Sequence, residues 1–372
     1  ADAADGLDVT VPAFRRKDVT READVIEEVA RLGVLERLPA TIPPNRLNRA
    51  GRLSAPQVLR RRAEDVLVGQ GLREVVGWSF TARDLLDRLR IPEGDPLRDV
   101  VELQNPMSES QAILRPTILG SLLDVAAHNV AHGTADLALF ESAAVYRPKG
   151  RDGSDPHAAP ADEHHALAVL LHGAPAPRAW TGEGPSPAGF FAAKGILEAV
   201  LSALRVEASY AAGSWPFLHP GRAAAVLAAD GTRLGFLGEV HPLVAQAWDL
   251  PHVAAAWAVD LGALIARAPE VQRYRDLTSF PALTQDLAVV VGEDVPAAQV
   301  LDVVRAAAGA RLADVAVFDV YRGEQLGEGR KSLALHCAFR APDRTLTDED
   351  VAPLREKIVA RLAGELGGEL RG

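Results

Sequence analysis

The sequence predicts an α+β protein, with antiparallel sheets and helices sorted into successive domains rather than interleaved as parallel βαβ units. Three observations support this. The chain has 372 residues, enough for two or three separately cored domains. Its last hundred residues switch hydrophobic period in the order strand, helix, strand, strand, helix, strand. A proline-rich stretch without periodicity, Pro39 to Asn48, precedes a long middle region of short strands and helices. Domains at 1–40, 41–270 and 271–372 are expected.

In the terminal domain, Asp286 to Gly292 is a short apolar run. Pro296 to Gly309 then places Val300, Leu301, Val303 and Val304 at helical spacing behind a proline start. Ala313 to Tyr321 alternates as a strand and Lys331 to Arg340 returns. Between them Gly323, Gly327 and Gly329 are expected to supply positive backbone angles in a long hairpin tip. A second helix opens with Thr347 as N-cap and Asp350 in a capping-box position, and Leu354, Ile358 and Leu362 line one face. Gly367 and Gly368 stop it, and Glu369 to Arg371 can add an edge strand. That is the split βαβ, ferredoxin-like order.

At the other end, Leu7 to Val11 is expected as a strand ended by Pro12, followed by a helix capped by Thr20 and running to Leu32. Asp24, Glu27 and Glu28 share one face of that helix and Asp18 lies just upstream, a carboxylate set suited to a hard cation such as Mg2+. The alternative is a solvated acidic face with Glu27 paired to Arg31. In the middle region, Ala55 to Gly69 and Phe190 to Leu204 read as helices. Leu72 to Phe80, Leu139 to Tyr146, Ala166 to Leu171 and Ala254 to Asp260 read as strands. Ala223 to Leu237 reads as a hairpin turning at Asp230-Gly231. Residues 147 to 190, rich in Gly, Pro and Ala, yield no chemistry.

Composition excludes several classes. No apolar run approaches the twenty or so residues that cross a bilayer. The net charge of −10 makes the whole molecule no electrostatic trap for nucleic acid, so an RNA site must be local. Cys337 is the single cysteine, which excludes an internal disulfide and fits a reducing compartment. His128 and His132 have a zinc-compatible spacing, but no third ligand or neighbouring catalytic glutamate accompanies them. No phosphate-binding glycine loop and no Gly-x-Ser-x-Gly occurs. The start at Ala1, without methionine or signal pattern, reads as the beginning of a fragment.

Four ordered motifs add a resemblance. Ser279-Phe-Pro-Ala282, Phe318-Asp-Val-Tyr321, Gly329-Arg-Lys-Ser-Leu333 and Arg344-Thr-Leu-Thr-Asp348 resemble the ferredoxin-fold anticodon-binding domain that ends the β subunit of bacterial phenylalanyl-tRNA synthetases. Val11 to Arg15, Asp18 and Ala23 to Leu32 are similar to the end of a helical domain of the same subunits. Leu103 to Ser108, Leu114 to Leu123, Leu139 to Tyr146 and Gly235 to Pro242 are similar to their class II synthetase-like antiparallel-sheet module.

The resemblance implies a cytoplasmic, non-catalytic subunit of a ligase that attaches phenylalanine to tRNA(Phe). Its α subunit partner uses the ATP, and the assembly is an (αβ)2 heterotetramer with no membrane association. It also implies that Asp18, Asp24, Glu27 and Glu28 hold magnesium, and that Asp319 and Tyr321 engage the first anticodon base. The residues themselves suit that role: a ring for stacking and a carboxylate for a guanine edge, on one face because the strand period is two. Ser332 can add a hydroxyl contact, and Arg322, Arg330 and Lys331 can bind phosphate. The alternative for Tyr321 is packing on the second helix.

Departures from the family pattern bear on chemistry. Where an active class II core has Arg-x-Glu on a strand, the chain has Arg147-Pro148-Lys149, and Leu261 to Arg267 lacks a glycine-rich run ending in a usable arginine. Residues 50 to 270 are therefore expected to be a scaffold, with Arg115 and Glu141 in structural hydrogen bonding. Gln285 stands where the family commonly has arginine. The terminal domain is acidic, with sixteen Asp and Glu against twelve Lys and Arg from Tyr274 onward. A free-standing paralogue that binds RNA or protein is the alternative function. An independent metal-dependent enzyme at Asp18 to Glu28 would lack a nucleophile or base.

Overall fold

The computed structural model describes residues 2–41, 53–149, 161–174, 180, 187–271, 274 and 280–371. Most of the Pro39 to Asn48 linker, the glycine-rich part of 147–190 and Ser279 lie outside the described residues. The chain divides into two compact units, residues 1–270 and 271–372.

The first unit begins with a two-residue pair, β1 (Asp2–Ala3) and β2 (Gly6–Leu7), and a helix, α1 (Glu22–Gly33). The strand expected over Leu7 to Val11 is thus confined to Gly6–Leu7, because the chain turns at Pro12 into a 3-10 turn over Ala13–Arg15. The helix is capped at Arg21, not Thr20. The Asp24 carboxylate reaches back to the backbone N–H of both Thr20 and Arg21, each at 2.8 Å, so the first helical residue is Glu22. Ile26, Val29 and Leu32 on α1 are exposed.

A seven-stranded sheet forms the body of this unit. It is approached through α2 (Ala55–Gly69), whose N-cap Ser54 accepts from the Gln57 N–H. Then come β3 (Arg73–Glu74), β4 (Phe80–Thr81), α3 (Leu85–Arg88), β5 (Ile113–Leu114), α4 (Leu119–Ala131), β6 (Leu137–Pro148) and β7 (Ala161–His172). α5 (Phe190–Leu204), β8 (Ala208–Ala212), β9 (Leu218–Ala228), β10 (Arg233–Val240), α6 (Pro242–Ala247), β11 (Ala254–Asp260) and α7 (Leu261–Ile265) complete the unit. The sheet order is β3-β6-β7-β11-β10-β9-β8, antiparallel except for the short β3–β6 pair. β4 and β5 pair separately. Among the described residues no helix is long and apolar enough to cross a membrane.

Both faces of the sheet are covered, which explains why Ala166 to Leu171 is apolar without alternation. Leu167, Val169, Leu171 and Trp257 pack with α2, α5 and α7 on one face. Ala166, Ala168, Leu170 and Ala256 pack with α3, α4 and α6 on the other, around Trp248 and Leu122. Gly235 is required where β10 crosses β11, since a Cβ there would sit 1.9 Å from the Ala258 carbonyl oxygen.

The strand expected over Leu72 to Phe80 is broken in the middle. Gly77 N–H donates to Glu141 Oε1 at 3.0 Å instead of to a neighbouring strand, and the Ser79 carbonyl accepts from Arg115 N–H at 2.9 Å. Those bonds surround a buried ion pair, Arg115 Nη1 to Glu141 Oε1 at 2.7 Å, both side chains at most 2% exposed. Arg115 Nε also donates to the Ala144 carbonyl. Arg115 and Glu141 therefore tie the loop before β4 to β6, in the structural role expected of them.

The second unit contains β12 (Leu283–Gly292), α8 (Ala297–Ala308), β13 (Leu312–Tyr321), β14 (Arg330–Phe339), α9 (Asp348–Leu366) and β15 (Glu369–Leu370). The sheet order is β13-β14-β12-β15, fully antiparallel, the ferredoxin-like arrangement. Thr347 and Asp350 form the expected capping box, with Thr347 N–H and Oγ1 donating to the Asp350 carboxylate at 3.0 and 3.1 Å. Gly367, with φ of 60°, ends α9. At the hairpin tip Gly327 and Gly329 have positive φ, whereas Gly323 is extended at φ −166°. Glycine at 323 answers to space: a Cβ would lie 2.3 Å from the Tyr321 hydroxyl. Leu287, Val289, Leu333, Leu335, Cys337 and Ile358 form the core between sheet and helices. Burial pushes the Cys337 thiol up to about 11.

Replacing Glu141 by alanine leaves the Arg115 guanidinium buried without its counter-charge. The expected loss is about 3–5 kcal/mol of stability in the first unit. Urea denaturation followed by the fluorescence of buried Trp248 and Trp257 measures it, and a loss under about 1 kcal/mol would show the pair is hydrated.

Candidate nucleic-acid interface

Helices α8 and α9 cover only one face of the terminal sheet, so the pleat assigns every second side chain to the open face. Core positions Leu287, Val289, Leu333 and Leu335 fix which face that is. Register does the rest. Tyr321 lies opposite Ser332, Asp319 opposite Ala334, and Ala316 opposite His336, with Val290, Ala288 and Asp286 beyond them on β12. Asp319 and Tyr321 are in step by the pleat, and a β-bulge between Val317 and Asp319 turns both to the face opposite Val315 and Val317 and leaves Phe318 60% exposed. Asp319, Tyr321 and Ser332 are thus brought together on one face, as expected.

Their environments differ. Asp319 is exposed, and its carboxylate accepts only from the N–H of Val320, at 2.9 Å, among the described residues. Tyr321 is half-buried, and the Arg371 guanidinium lies over its ring at 4.6 Å. A base must therefore use the other side of the ring or displace that arginine. Ser332 is only 3% exposed and offers a narrow hydroxyl contact.

The three expected phosphate ligands are already engaged. Arg322 donates from Nε and Nη2 to the Glu293 carboxylate, at 3.0 and 2.7 Å to one oxygen. That contact holds the Glu293 carboxyl below its usual range and the guanidinium above its own. Lys331 is 8% exposed, with Nζ donating to the Glu293 carbonyl at 2.7 Å. Arg330 pairs with Glu369 at 3.1 Å. Two participants escaped the sequence reading. Glu293 gathers Arg322 and Lys331, and Arg371 covers Tyr321; both act through cross-strand register, and neither carries a local motif.

The acidic set near the N-terminus is arranged differently from a metal centre. Arg15 donates to Asp18 at 2.6 Å and to Glu28 at 2.7 Å, and Arg31 donates to Glu28 at 2.7 Å. The arginine paired across α1 thus belongs to Glu28, not Glu27. Asp24 is committed to the helix start and to Arg21 at 3.0 Å. No group of three or more potential ligands lies together among the described residues. A guanidinium occupies the place between Asp18 and Glu28 that a divalent cation would need, so these side chains as arranged do not fit Mg2+.

The two arginines hold the Glu28 carboxyl down at about 2, against an ordinary value of 4.5. A depressed carboxyl contributes stability that is present above about pH 4.5 and is lost as the pH falls toward 2. Carboxyl titration by NMR should find Glu28 well below 4.5 in the 372-residue chain, and Arg15→Gln should return it toward that value.

Comparison with known proteins agrees with the order of these units. Residues 1–33 match the tRNA synthetase B5 domain, residues 38–261 the phenylalanyl tRNA synthetase beta chain CLM domain, and residues 278–371 the ferredoxin-fold anticodon binding domain. The phenylalanine–tRNA ligase beta subunit of Moorella thermoacetica is 43% identical over 98% of this chain and 44% of its own length. That of Symbiobacterium thermophilum is 40% identical over 99% of this chain and 40% of its own. For the Geobacter sulfurreducens subunit the values are 37%, 98% and 45%. The chain spans less than half the length of these relatives. With the CLM match alone covering more than half of its residues, the chain belongs to the phenylalanyl-tRNA synthetase β-subunit family.

Proposed function

We propose that this chain supports the ATP-dependent attachment of phenylalanine to tRNA(Phe) without a reaction centre of its own. Residues 271–372 bind the tRNA anticodon. Residues 41–270 act as a class II synthetase-like scaffold for the α subunit in an (αβ)2 heterotetramer of the cytoplasm, and residues 1–40 end a helical domain. The single observation that carries the RNA reading is the shared open face of Asp319, Tyr321 and Ser332 in a domain matched to anticodon-binding domains.

In this reading an unpaired base stacks on Tyr321 and its edge bonds to Asp319, with Ser332 as a secondary contact. Arg322 and Arg330 exchange their exposed carboxylate partners for phosphate. Such exposed pairs contribute little, about 0–1 kcal/mol, so the exchange costs little. Lys331, buried on the Glu293 carbonyl, holds the strand in place and adds positive potential. Magnesium is left to the partner subunit's ATP, because Arg15 already neutralises Asp18 and Glu28.

Two details support a scaffold in the middle. Arg147 is anchored by the backbone carbonyls of Pro116 and Tyr146, at 2.7 and 3.1 Å, with Lys149 where an active core has a glutamate. Arg267, the arginine that ends the segment after β11, is tied to Asp230 at 2.8 Å and to the Ala263 carbonyl at 3.0 Å.

Tyr321→Ala should weaken binding of an anticodon stem-loop RNA by about 1–3 kcal/mol, the scale of one base stack, while Tyr321→Phe retains most of it. Fluorescence anisotropy checks this, and unchanged affinity for Tyr321→Ala removes the RNA role. Co-expression with an α subunit should give a complex that survives size exclusion. A chain that binds RNA but never an α subunit would instead be the free-standing paralogue.

A further inference from the structure

A cavity of 320 Å³ opens on the face of the seven-stranded sheet that carries Trp248, at the end away from that residue. Its floor is made of small side chains on adjacent strands: Val145 on β6, Ala166 on β7 and Ala258 on β11. Its wall is aromatic. Phe236 on β10 packs against Trp215 at 5.8 Å between ring centroids and against Phe217 at 5.0 Å, so three rings form one rigid surface. Small residues below and large rings beside them leave a volume within the range of small-molecule sites, roughly 300–1,000 Å³.

The polar groups at this cavity are mostly cationic. Arg147 lines it, and the Nη1 bond to the Pro116 carbonyl places its guanidinium at the cavity wall. No carboxylate lies within salt-bridge distance of Arg147 among the described residues; its hydrogen bonds go to two backbone carbonyls. Partial burial lowers its pKa, and the nearby Asp95 carboxylate offsets only part of that effect. Arg233 lines the cavity from the exposed start of β10 and likewise makes no ion pair among the described residues. His164 adds a ring held by Asp162 at 3.1 Å. The carboxylate that lines the cavity, Asp260, spends one oxygen on the N–H of Ala263 at the start of α7.

We propose that this cavity binds a small organic anion with a flat apolar body, the body against Trp215 and Phe236 and the acid group on Arg147 and Arg233. The physical reason is compensation. A half-buried guanidinium satisfied only by carbonyls gains a charge-assisted, bidentate partner when a carboxylate arrives. The apolar body meanwhile covers ring surface that water otherwise wets. The inference is independent of anticodon binding, since none of these residues belongs to the terminal unit. It requires binding only and assigns no reaction to the site.

The test uses three indole compounds of similar shape and different charge against the 372-residue chain: indole-3-acetate, indole and tryptamine. Calorimetry or saturation-transfer NMR should find indole-3-acetate bound at least about tenfold more tightly than tryptamine, the order expected for one charged hydrogen-bonded contact. Arg147→Gln should remove that preference, and Ala258→Leu, which fills the floor, should abolish binding of all three. Circular dichroism and the melting temperature establish that each variant is folded. No binding of indole-3-acetate at millimolar concentration overturns the proposal. So does equal affinity for the anion and the cation, or an unchanged anion preference in folded Arg147→Gln. If neither variant folds, the charge series on the parent chain decides.

Discussion

The two-residue period of the β-pleat, combined with where helices are placed, governs what this molecule presents to solvent. In the seven-stranded sheet helices lie on both sides, and β7 and β11 are apolar on both. What remains there is a shallow volume above alanines. In the terminal sheet both helices lie on one side. The same pleat then delivers Asp319, Tyr321 and Ser332 together to the other, with the Val317–Asp319 bulge turning the end of β13 to that face. A one-residue slip of β13 against β14 would turn Tyr321 toward the core face.

Much of the charge is handled by local pairing. The chain is acidic, yet its arginines sit against particular carboxylates: Arg15 on Asp18 and Glu28, Arg322 on Glu293, Arg330 on Glu369. The exposed pairs are weak individually and screened by salt, so they order side chains more than they stabilise the fold. Arg115 and Glu141 are the opposite case. Gly77, Ala144 and Ser121 add hydrogen bonds that offset part of their desolvation, although Glu141 Oε2 is buried without a partner, and that set of bonds bends the chain out of the sheet after Val75.

Legibility in the sequence followed the range of the signal. The start of α9 was readable because its capping pair, Thr347 and Asp350, lies within a few positions. All six elements of the terminal domain and the β9–β10 hairpin were readable from period and turn residues. The failures have tertiary causes. Leu72 to Phe80 has the composition of a strand but loses its ladder to Glu141, some sixty residues on. Gly323 resembles a turn glycine yet answers to the Tyr321 ring. At the open face Asp319, Tyr321 and Ser332 came from motif and period. Glu293 and Arg371 become relevant only through register, and the choice of Glu28 over Glu27 by Arg31 depends on Arg15 arriving from outside the helix.

Cys337 sits in the middle of β14, fully enclosed by the terminal core, with its thiol held in the protonated, unreactive form. Because it is the only sulfhydryl in 372 residues, alkylation of the whole chain reduces to a single event. That event requires β14 to come away from its neighbours. The pace at which a thiol reagent consumes this group therefore clocks how often the terminal domain opens, without any introduced label.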